Sequence, residues 1–138
     1  MNENDRYTVD TMAVLGYLAD RLPSRADRVF RRAEDGKAEL IVPSITLGET
    51  LYTLLKGKEV FGVRIPMEKL SVFYDVIESG GSLKLEDLNM NGWRDVVNIA
   101  LPELHDRMIV ATHRQTGSKG IITDDQEISD LQGVETIW

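Results

Sequence analysis

The sequence predicts an α/β domain in which helices cover both faces of a mostly parallel sheet. Short apolar segments with strand propensity alternate with longer segments of helical periodicity, the pattern of parallel strands joined by helical crossovers. The length fits one domain, residues 1–138. Hydrophobic residues make up 42% of the chain and charged residues 28%, which is the composition of a folded globular protein and not of a disordered one.

Five short apolar segments predict the strands. Each is three or four residues long and is bounded by residues that favour turns or helix caps. In chain order they are Tyr7–Asp10, Leu40–Val42, Leu83–Leu85, Gly120–Thr123 and Val134–Ile137, the last as an edge strand.

Helical spacing of apolar residues predicts the elements between the strands. The clearest helix carries an apolar stripe of four leucines between residues 47 and 55 and ends before Gly57. The other helices begin at capping residues or Pro and end near Gly or at a change of pattern. They cover 11–18, 25–34, 67–78, 89–100, 102–115 and 126–130, and Glu59–Ile65 is predicted to be a loop.

The net charge argues against a broad nucleic-acid groove lined with basic residues. Sixteen Lys and Arg residues stand against 23 Asp and Glu residues, which gives a net charge of −7 at pH 7. Proteins that bind nucleic acid by neutralising phosphates are usually basic. If the protein binds nucleic acid, a bound cation or a local rim of basic residues would therefore have to contact the phosphates.

Several other kinds of site and location are disfavoured. The chain has no Cys, so it has no disulfide, thiol nucleophile or thiolate zinc site, and its two His supply a zinc site poorly. No apolar run approaches the roughly 20 residues that span a bilayer. Residues 1–5 are polar and acidic, unlike a secretory signal. We expect a soluble, cytoplasmic domain with no membrane partner.

Acidic residues directly follow two of the predicted strands. Asp10 ends the first strand, and Asp124 and Asp125 come after Thr123 at the end of the fourth. In open parallel sheets, sites form at the carboxyl ends of the strands, where the strand order reverses. The sequence therefore predicts a site that contains these residues together with Thr11.

Most of the candidate acids also have a purely structural explanation. Asp10 is placed as an N-cap, and Asp124 or Asp125 can cap the short helix that follows. Glu49 completes the pattern Thr46-x-x-Glu49, which is a capping box at the start of a helix. Taken one at a time, these acids leave structural and functional roles equally open.

Asp106 is harder to explain by helix capping. It lies within the helix that follows Pro102, where Asp is a mediocre helix former. Glu103 and Arg107 are spaced as a surface ion pair, which leaves Asp106 without a cation four positions away. Because apolar residues flank this helix on both sides, the carboxylate lies at the rim of apolar surface and needs a positive partner.

Four acids in this arrangement predict a divalent-ion site formed by Asp10, Glu49, Asp106 and one of the neighbouring residues Asp124 and Asp125. If the strand ends meet, the carboxylates converge and repel one another unless a cation neutralises them. Oxygen ligands without His or Cys favour Mg²⁺ or Mn²⁺ over zinc. Mg²⁺ held by carboxylates keeps several waters, which can be activated against a phosphodiester.

Four segments that carry these acids occur in a recognisable order. They are Val9-Asp10-Thr11, Pro43–Glu49, Leu104–Thr112 and Ile121–Asp125. In this order and spacing they resemble the motifs of the PIN-domain nucleases, and among these the small single-domain toxins of the VapC type. The resemblance extends over essentially the whole chain.

The resemblance implies a three-layer α/β/α sandwich with a parallel central sheet, and Mg²⁺ or Mn²⁺ in an acidic pocket. It implies cleavage of single-stranded or loop RNA. It also implies a homodimer that is silenced by a protein antitoxin, whose tail enters the acidic pocket.

The family's site residues map onto this sequence one by one. Asp10, Glu49 and Asp106 match its first three acids, and its Thr-x-Asp motif maps onto Thr123 and Asp125 as catalytic and metal-binding positions. Asp124 occupies the variable middle position of that motif. Which of the two neighbouring aspartates is the fourth acid therefore stays open.

Three functions are compatible with the pattern. The first is a metal-dependent endoribonuclease, the toxin of a toxin–antitoxin pair. The second is a non-catalytic PIN-like module that binds RNA or a protein partner, which the acidic surface and two Trp residues would suit. The third, a phosphatase-like hydrolase of another doubly wound fold, lacks a nucleophile motif after the first strand.

Other polar residues carry weaker signals. His105 is next to Asp106 but points about 100° away from it on a helix, which favours a structural His over a ligand. A rim that guides RNA phosphates is a further interpretation of Arg107, Arg114, Lys56 and Lys58, although ordinary surface charge explains each of them singly.

Overall fold

A five-stranded, all-parallel sheet forms the centre of the molecule. The structure is a computed structural model that describes residues 5–138. Residues 1–4 lie outside it, and they make up most of the segment that we predicted not to be a secretory signal. The sheet strands are β1 (Arg6–Val9), β2 (Glu39–Pro43), β5 (Leu83–Glu86), β6 (Gly120–Ile122) and β7 (Thr136–Ile137). A separate antiparallel ribbon consists of β3 (Glu59–Val60) and β4 (Val63–Arg64).

Seven helices surround the sheet in the described part of the chain. They are α1 (Thr11–Leu18), α2 (Ser24–Glu34), α3 (Ser44–Leu55), α4 (Met67–Glu78), α5 (Met90–Val96), α6 (Leu104–Thr116) and α7 (Gln126–Ser129). Across residues 5–138, every helix is too short or too polar to cross a membrane.

The helices pack on the two faces of the sheet in separate layers. Val9, Val42 and Ile122 are buried on one face, in a core that also contains apolar side chains of α1, α2 and α4. Ile121 points to the opposite face and packs with Val110 of α6 and apolar residues of α5 and α7. Successive strand residues therefore point to opposite faces, as the pleat requires. The predicted α/β/α sandwich is confirmed.

The strand order brings two distant parts of the chain together. The order is β5-β2-β1-β6-β7, so the chain builds outward from β1 through β2 to β5 and then returns to place β6 on the other side of β1. The chain therefore leaves β1 toward one edge of the sheet and later returns to form β6 on the opposite side of β1. At such a reversal of strand order, a crevice opens between the carboxyl ends of the two strands. This is the edge at which the sequence predicted a site.

Four elements differ from their prediction by more than one residue, and one of them is β7, which begins at Thr136 and not at Val134. The predicted loop at 59–65 contains the β3–β4 ribbon, because Phe61 and Gly62 both adopt positive φ and form a tight two-residue turn. The helix predicted to reach Ala100 ends at Val96, whose carbonyl accepts a hydrogen bond from the Arg107 guanidinium. The helix predicted from Pro102 begins two residues later, at Leu104.

Close approach of two backbones at the β6–β7 edge yields a stability prediction. A Cβ added at Gly120 would lie 2.8 Å from the carbonyl oxygen of Glu135, so Gly120→Ala forces the backbones apart and should destabilise the fold by about 1–3 kcal/mol. Gly48 is the matched control, because a Cβ there meets nothing within 4 Å. Ala is also the better helix former, by about 1 kcal/mol. Urea unfolding should show a loss for Gly120→Ala and no loss for Gly48→Ala; equal stabilities would contradict this packing.

Candidate active site

Asp10 lies at the bottom of the crevice, directly after β1. Its backbone N–H donates to the carbonyl of Ile122 at 3.2 Å, which joins the ends of β1 and β6. Its side chain is the N-cap of α1 and accepts a hydrogen bond from the Ala13 N–H at 2.8 Å. Asp10 is only 6% exposed. The structural interpretation of Asp10 as a helix cap is therefore correct, and it places the carboxylate in the crevice.

Thr123 and Asp125 enter the same crevice from the end of β6. The buried Thr123 hydroxyl hydrogen-bonds to the Asp10 carboxylate and accepts from the Asp125 N–H at 3.0 Å. Asp125 caps α7 through Oδ1, which accepts from the N–H groups of Glu127 and Ile128. Asp124 is exposed at the rim.

Glu49 reaches the crevice from the second turn of α3. The capping-box interpretation of Thr46 and Glu49 is wrong, because α3 begins at Ser44 and the Thr46 hydroxyl donates to the Val9 carbonyl at 2.9 Å instead. The Glu49 carboxylate accepts one hydrogen bond from the Thr11 hydroxyl at 2.6 Å and one from His105 Nδ1 at 2.7 Å.

Asp106 lies in the first turn of α6, beside Asp125. Burial raises the pKa of Asp106 to about 7, and the negative charge of Asp125 and the hydrogen bond between the two carboxyl groups add to the increase. Burial also raises the pKa of Asp10 to about 6, although hydrogen bonds from Thr123 and Ala13 oppose the increase. Negative charge in the crevice is therefore only partly compensated.

These residues line one open groove of about 770 Å³. Its lining contains six acids, which are Asp10, Glu49, Glu59, Asp106, Asp124 and Asp125. Lys58 is the only Lys or Arg in the lining, within the part of the chain that the structure describes. All four acids predicted from the sequence thus face the same space, together with Asp124.

The groove is not a closed metal cage. Among residues 5–138, no group of three or more His, Asp or Glu side chains converges closely enough to hold an ion between them. Carboxylates that repel one another separate when no cation lies between them. The donor set nevertheless consists mainly of carboxylate oxygens, which are the ligands that Mg²⁺ and Mn²⁺ prefer.

His105, which the sequence analysis interpreted as a structural His and not as a ligand, also lines the groove. Its Nδ1 contacts Glu49 and its side chain lines the groove beside that of Asp106. Both His105 and Asp106 face the groove because it runs along the first turn of α6. Two successive residues at that helix end therefore face the same space. The signal in the sequence was the position of His105 at the start of the helix that carries Asp106.

The predicted basic rim is mostly engaged elsewhere. Arg107 donates to the backbone carbonyls of Leu101 and Val96 and does not form the expected pair with Glu103. Arg114 forms an ion pair with Asp95. Of the four candidates, only Lys58 lines the groove; the ammonium groups of Lys56 and Lys58 each lie 5.5 Å from the centre of the exposed Tyr52 ring.

Comparison of the sequence with models of protein families relates the chain to one family. The sequence model of one family, described as PIN domain, matches residues 7–134, nearly the whole chain. No curated protein matches the sequence significantly.

Solved structures share the fold at low sequence identity. VapBC2 from Rickettsia felis, bound to a DNA fragment from its promoter, has a TM-score of 0.68 at 12% identity, over 96% of this chain and 99% of that one. A toxin–antitoxin complex from Klebsiella pneumoniae has a TM-score of 0.65 at 15% identity, over 94% and 96%. VapC20 from Mycobacterium tuberculosis, a toxin that cleaves the sarcin–ricin loop, has a TM-score of 0.58 at 18% identity, over 96% and 99%.

The raised pKa of Asp106 predicts how stability depends on pH without metal. In the folded protein the Asp106 carboxyl group keeps its proton up to about pH 7, whereas in the unfolded chain it loses the proton near the usual pKa of 3.8. Between these pH values the folded protein therefore binds more protons than the unfolded chain does. Stability should therefore fall as the pH rises from about 4 through 7. Asp106→Asn removes a partly buried charge and its repulsion with Asp125, so it should raise the melting temperature by a few degrees at pH 8, and much less at pH 4.

Thermal unfolding in chelator at the two pH values measures this effect. Asp75→Asn, on an exposed position of α4, is the control and should change neither melting temperature. A variant Asp106→Asn that is less stable than the wild type at pH 8 would count against the described crowding of carboxylates.

Proposed function

Because the chain belongs to the PIN-domain family, we propose that it is a metal-dependent endoribonuclease that hydrolyses RNA phosphodiester bonds, the toxin of a toxin–antitoxin pair. The observation that carries this proposal is the meeting of Asp10, Glu49, Asp106 and Asp125 in one groove, from four separate places in the chain. The increased pKa values of Asp10 and Asp106 support it, since burial, and for Asp106 also the neighbouring Asp125, makes these carboxyl groups costly to ionise unless a cation binds.

The groove suits Mg²⁺ or Mn²⁺ as the cofactor. Asp10, Glu49, Asp106 and Asp125 would hold the ion through carboxylate oxygens, and Asp124 is close enough to the groove to compete with Asp125 for the fourth place. When bound, such an ion supplies an activated water and neutralises charge at the phosphate.

The protein's own residues prepare the site before any ligand arrives. Thr123 and the α1 backbone fix the Asp10 carboxylate, so this group is oriented at the bottom of the groove. Asp106 holds a proton near neutral pH when metal is absent, and this proton must leave before both Asp106 and Asp125 can act as anionic ligands. The acids thus contribute orientation and charge, and the open groove leaves room for a strand.

RNA is the substrate that the groove and the relatives favour together. The M. tuberculosis relative is described as a toxin that cleaves the sarcin–ricin loop, which is RNA. Six acids and one lysine line the groove of this chain, and their net negative charge would repel a phosphate. A metal ion bound between the acids and the phosphate would overcome this repulsion. Single-stranded or loop RNA fits an open groove better than a duplex does, because its backbone can bend toward the acids.

A protein antitoxin and a second copy of the chain are the proposed partners. Two of the structural relatives are toxin–antitoxin assemblies. The acidic groove would attract a basic antitoxin tail. Exposed apolar side chains on α3 and α4, among them Tyr52, Leu55 and Val72, supply surface for association. We place the complex in the cytoplasm.

One observation favours the alternative of a non-catalytic PIN-like module that binds RNA or a protein. The described residues contain no preformed cluster of metal ligands, which a domain that only binds a partner would not need. Tight binding of a partner without measurable metal binding would be its signature.

Loss of one carboxylate charge tests the nuclease. Asp10→Asn keeps a good helix cap, because Asn caps as well as Asp. It should nevertheless reduce cleavage of a labelled RNA in Mg²⁺ or Mn²⁺ by about 100-fold or more, since even groups behind the metal ligands alter activity by about 10–100-fold. Chelation by EDTA should abolish cleavage by the wild type.

Asp75→Asn is the control, an exposed acid of α4 outside the groove, and should cleave like the wild type. Cleavage that needs no metal and survives Asp10→Asn would refute the nuclease.

The proposed assembly predicts the mass of the protein in solution. At micromolar concentration, light scattering should report about twice the 15.6 kDa mass of one chain. The apolar surface on α3 and α4 provides the physical reason. Leu55→Glu, at a side chain that is 68% exposed, should shift the mass toward the monomer if the interface includes α3. A wild-type protein that is monomeric at this concentration would contradict the dimer.

A further inference from the structure

Both carboxylate oxygens of Glu49 are held by side chains from other helices. Oε1 accepts from the Thr11 hydroxyl of α1 at 2.6 Å, and Oε2 contacts His105 Nδ1 of α6 at 2.7 Å. Because a carboxylate only accepts hydrogen bonds, the proton of this contact lies on His105 Nδ1. Three helices that are distant in sequence therefore meet at one carboxylate.

Glu49 differs in this respect from two of the other acids. Asp10 and Asp125 are short side chains at helix starts, and backbone N–H groups of their own helices orient them. Glu49 lies within α3, where the backbone N–H groups are used by the helix itself. Its longer side chain has more rotamers to lose on ordering. Side chains are thus the available means of fixing it.

His105 is well placed for this task. Its side chain is 43% exposed and lines the groove, so it contacts Glu49 from the solvent side. Glu103 Oε1 lies 3.6 Å from the same Nδ1, beyond good hydrogen-bond length, which leaves Glu49 as the partner. Without His105, one oxygen of Glu49 would lose its neighbour and the side chain would have open groove to turn into.

We propose that His105 is a positioning residue of this site, which together with Thr11 holds the Glu49 carboxylate where a divalent ion binds. The inference rests on the proposed function for the identity of the ion, Mg²⁺ or Mn²⁺, but not for RNA cleavage. Hydrogen bonds to metal-ligating side chains typically change metal affinity by about 10–100-fold when they are removed.

Substitutions at His105 separate positioning from direct ligation. His105→Asn keeps an N–H donor near the place of Nδ1, whereas His105→Gln places its amide near Nε2, and His105→Ala removes both. Calorimetry with Mn²⁺ and without RNA should show affinity weakened about 10-fold or more by His105→Ala and largely restored in His105→Asn. Thr11→Val should weaken Mn²⁺ binding and Thr11→Ser should not.

His113 supplies a matched control on the same helix. Its Nδ1 bonds to the Ser118 hydroxyl at 2.6 Å, away from the groove lining. His113→Ala should lower the melting temperature yet leave the Mn²⁺ affinity unchanged. A merely structural His105 would behave in the same way, so this comparison distinguishes the two roles.

Each outcome of the titrations decides the proposal. Equal Mn²⁺ affinity in the wild type and His105→Ala would overturn it, as would restoration by Gln but not by Asn, which would make His105 a ligand through Nε2. A wild type that binds no Mn²⁺ would also overturn it. A wild type that binds Mn²⁺ with the expected His105 pattern but cleaves no RNA would leave the positioning role intact and refute the nuclease alone.

Discussion

Burial of carboxyl groups in one groove, together with repulsion between Asp106 and Asp125, is the constraint on which this structure depends. Burial and the neighbouring Asp125 hold the pKa of Asp106 near 7, and burial holds that of Asp10 near 6. Lys58, the one Lys or Arg lining the groove in residues 5–138, has its ammonium group over the Tyr52 ring. The fold tolerates the charge because the groove is open to water and because protons or a divalent ion can occupy it.

The topology explains why these acids meet and how they are partly compensated. The return of the chain from β5 to β6 places β6 beside β1, so the loops that carry Asp10 and Asp125 are neighbours. Asp10 and Asp125 are helix N-caps and Asp106 lies in the first turn of α6. Backbone N–H groups at the starts of α1 and α7 donate to Asp10 and Asp125, and these bonds favour the charged form of the two carboxyl groups. Glu49 lacks such backbone donors, and side-chain donors take their place.

Patterns that are local in sequence predicted the fold, and the acids that they singled out line one groove. The parallel sheet followed from alternating strands and helices, and the rule about strand ends predicted that Asp10 and the pair Asp124 and Asp125 lie at the same edge of the sheet. What failed depended on contacts between distant residues. Thr46 reaches across to the Val9 carbonyl, so the capping-box spacing was coincidental. The role of His105 depends on where α3 lies against α6, which spacing within either helix does not encode.

Structural and functional explanations of the same acid need not exclude each other. The caps at Asp10 and Asp125 each use Oδ1, so capping itself leaves Oδ2 of each side chain available to the groove. A cap also fixes the orientation of the carboxylate, which reduces the entropy that a ligand would otherwise have to remove. A carboxylate that caps a helix at the end of a parallel strand is therefore better prepared to bind an ion than a free surface acid. In this way the caps support the proposed ion site.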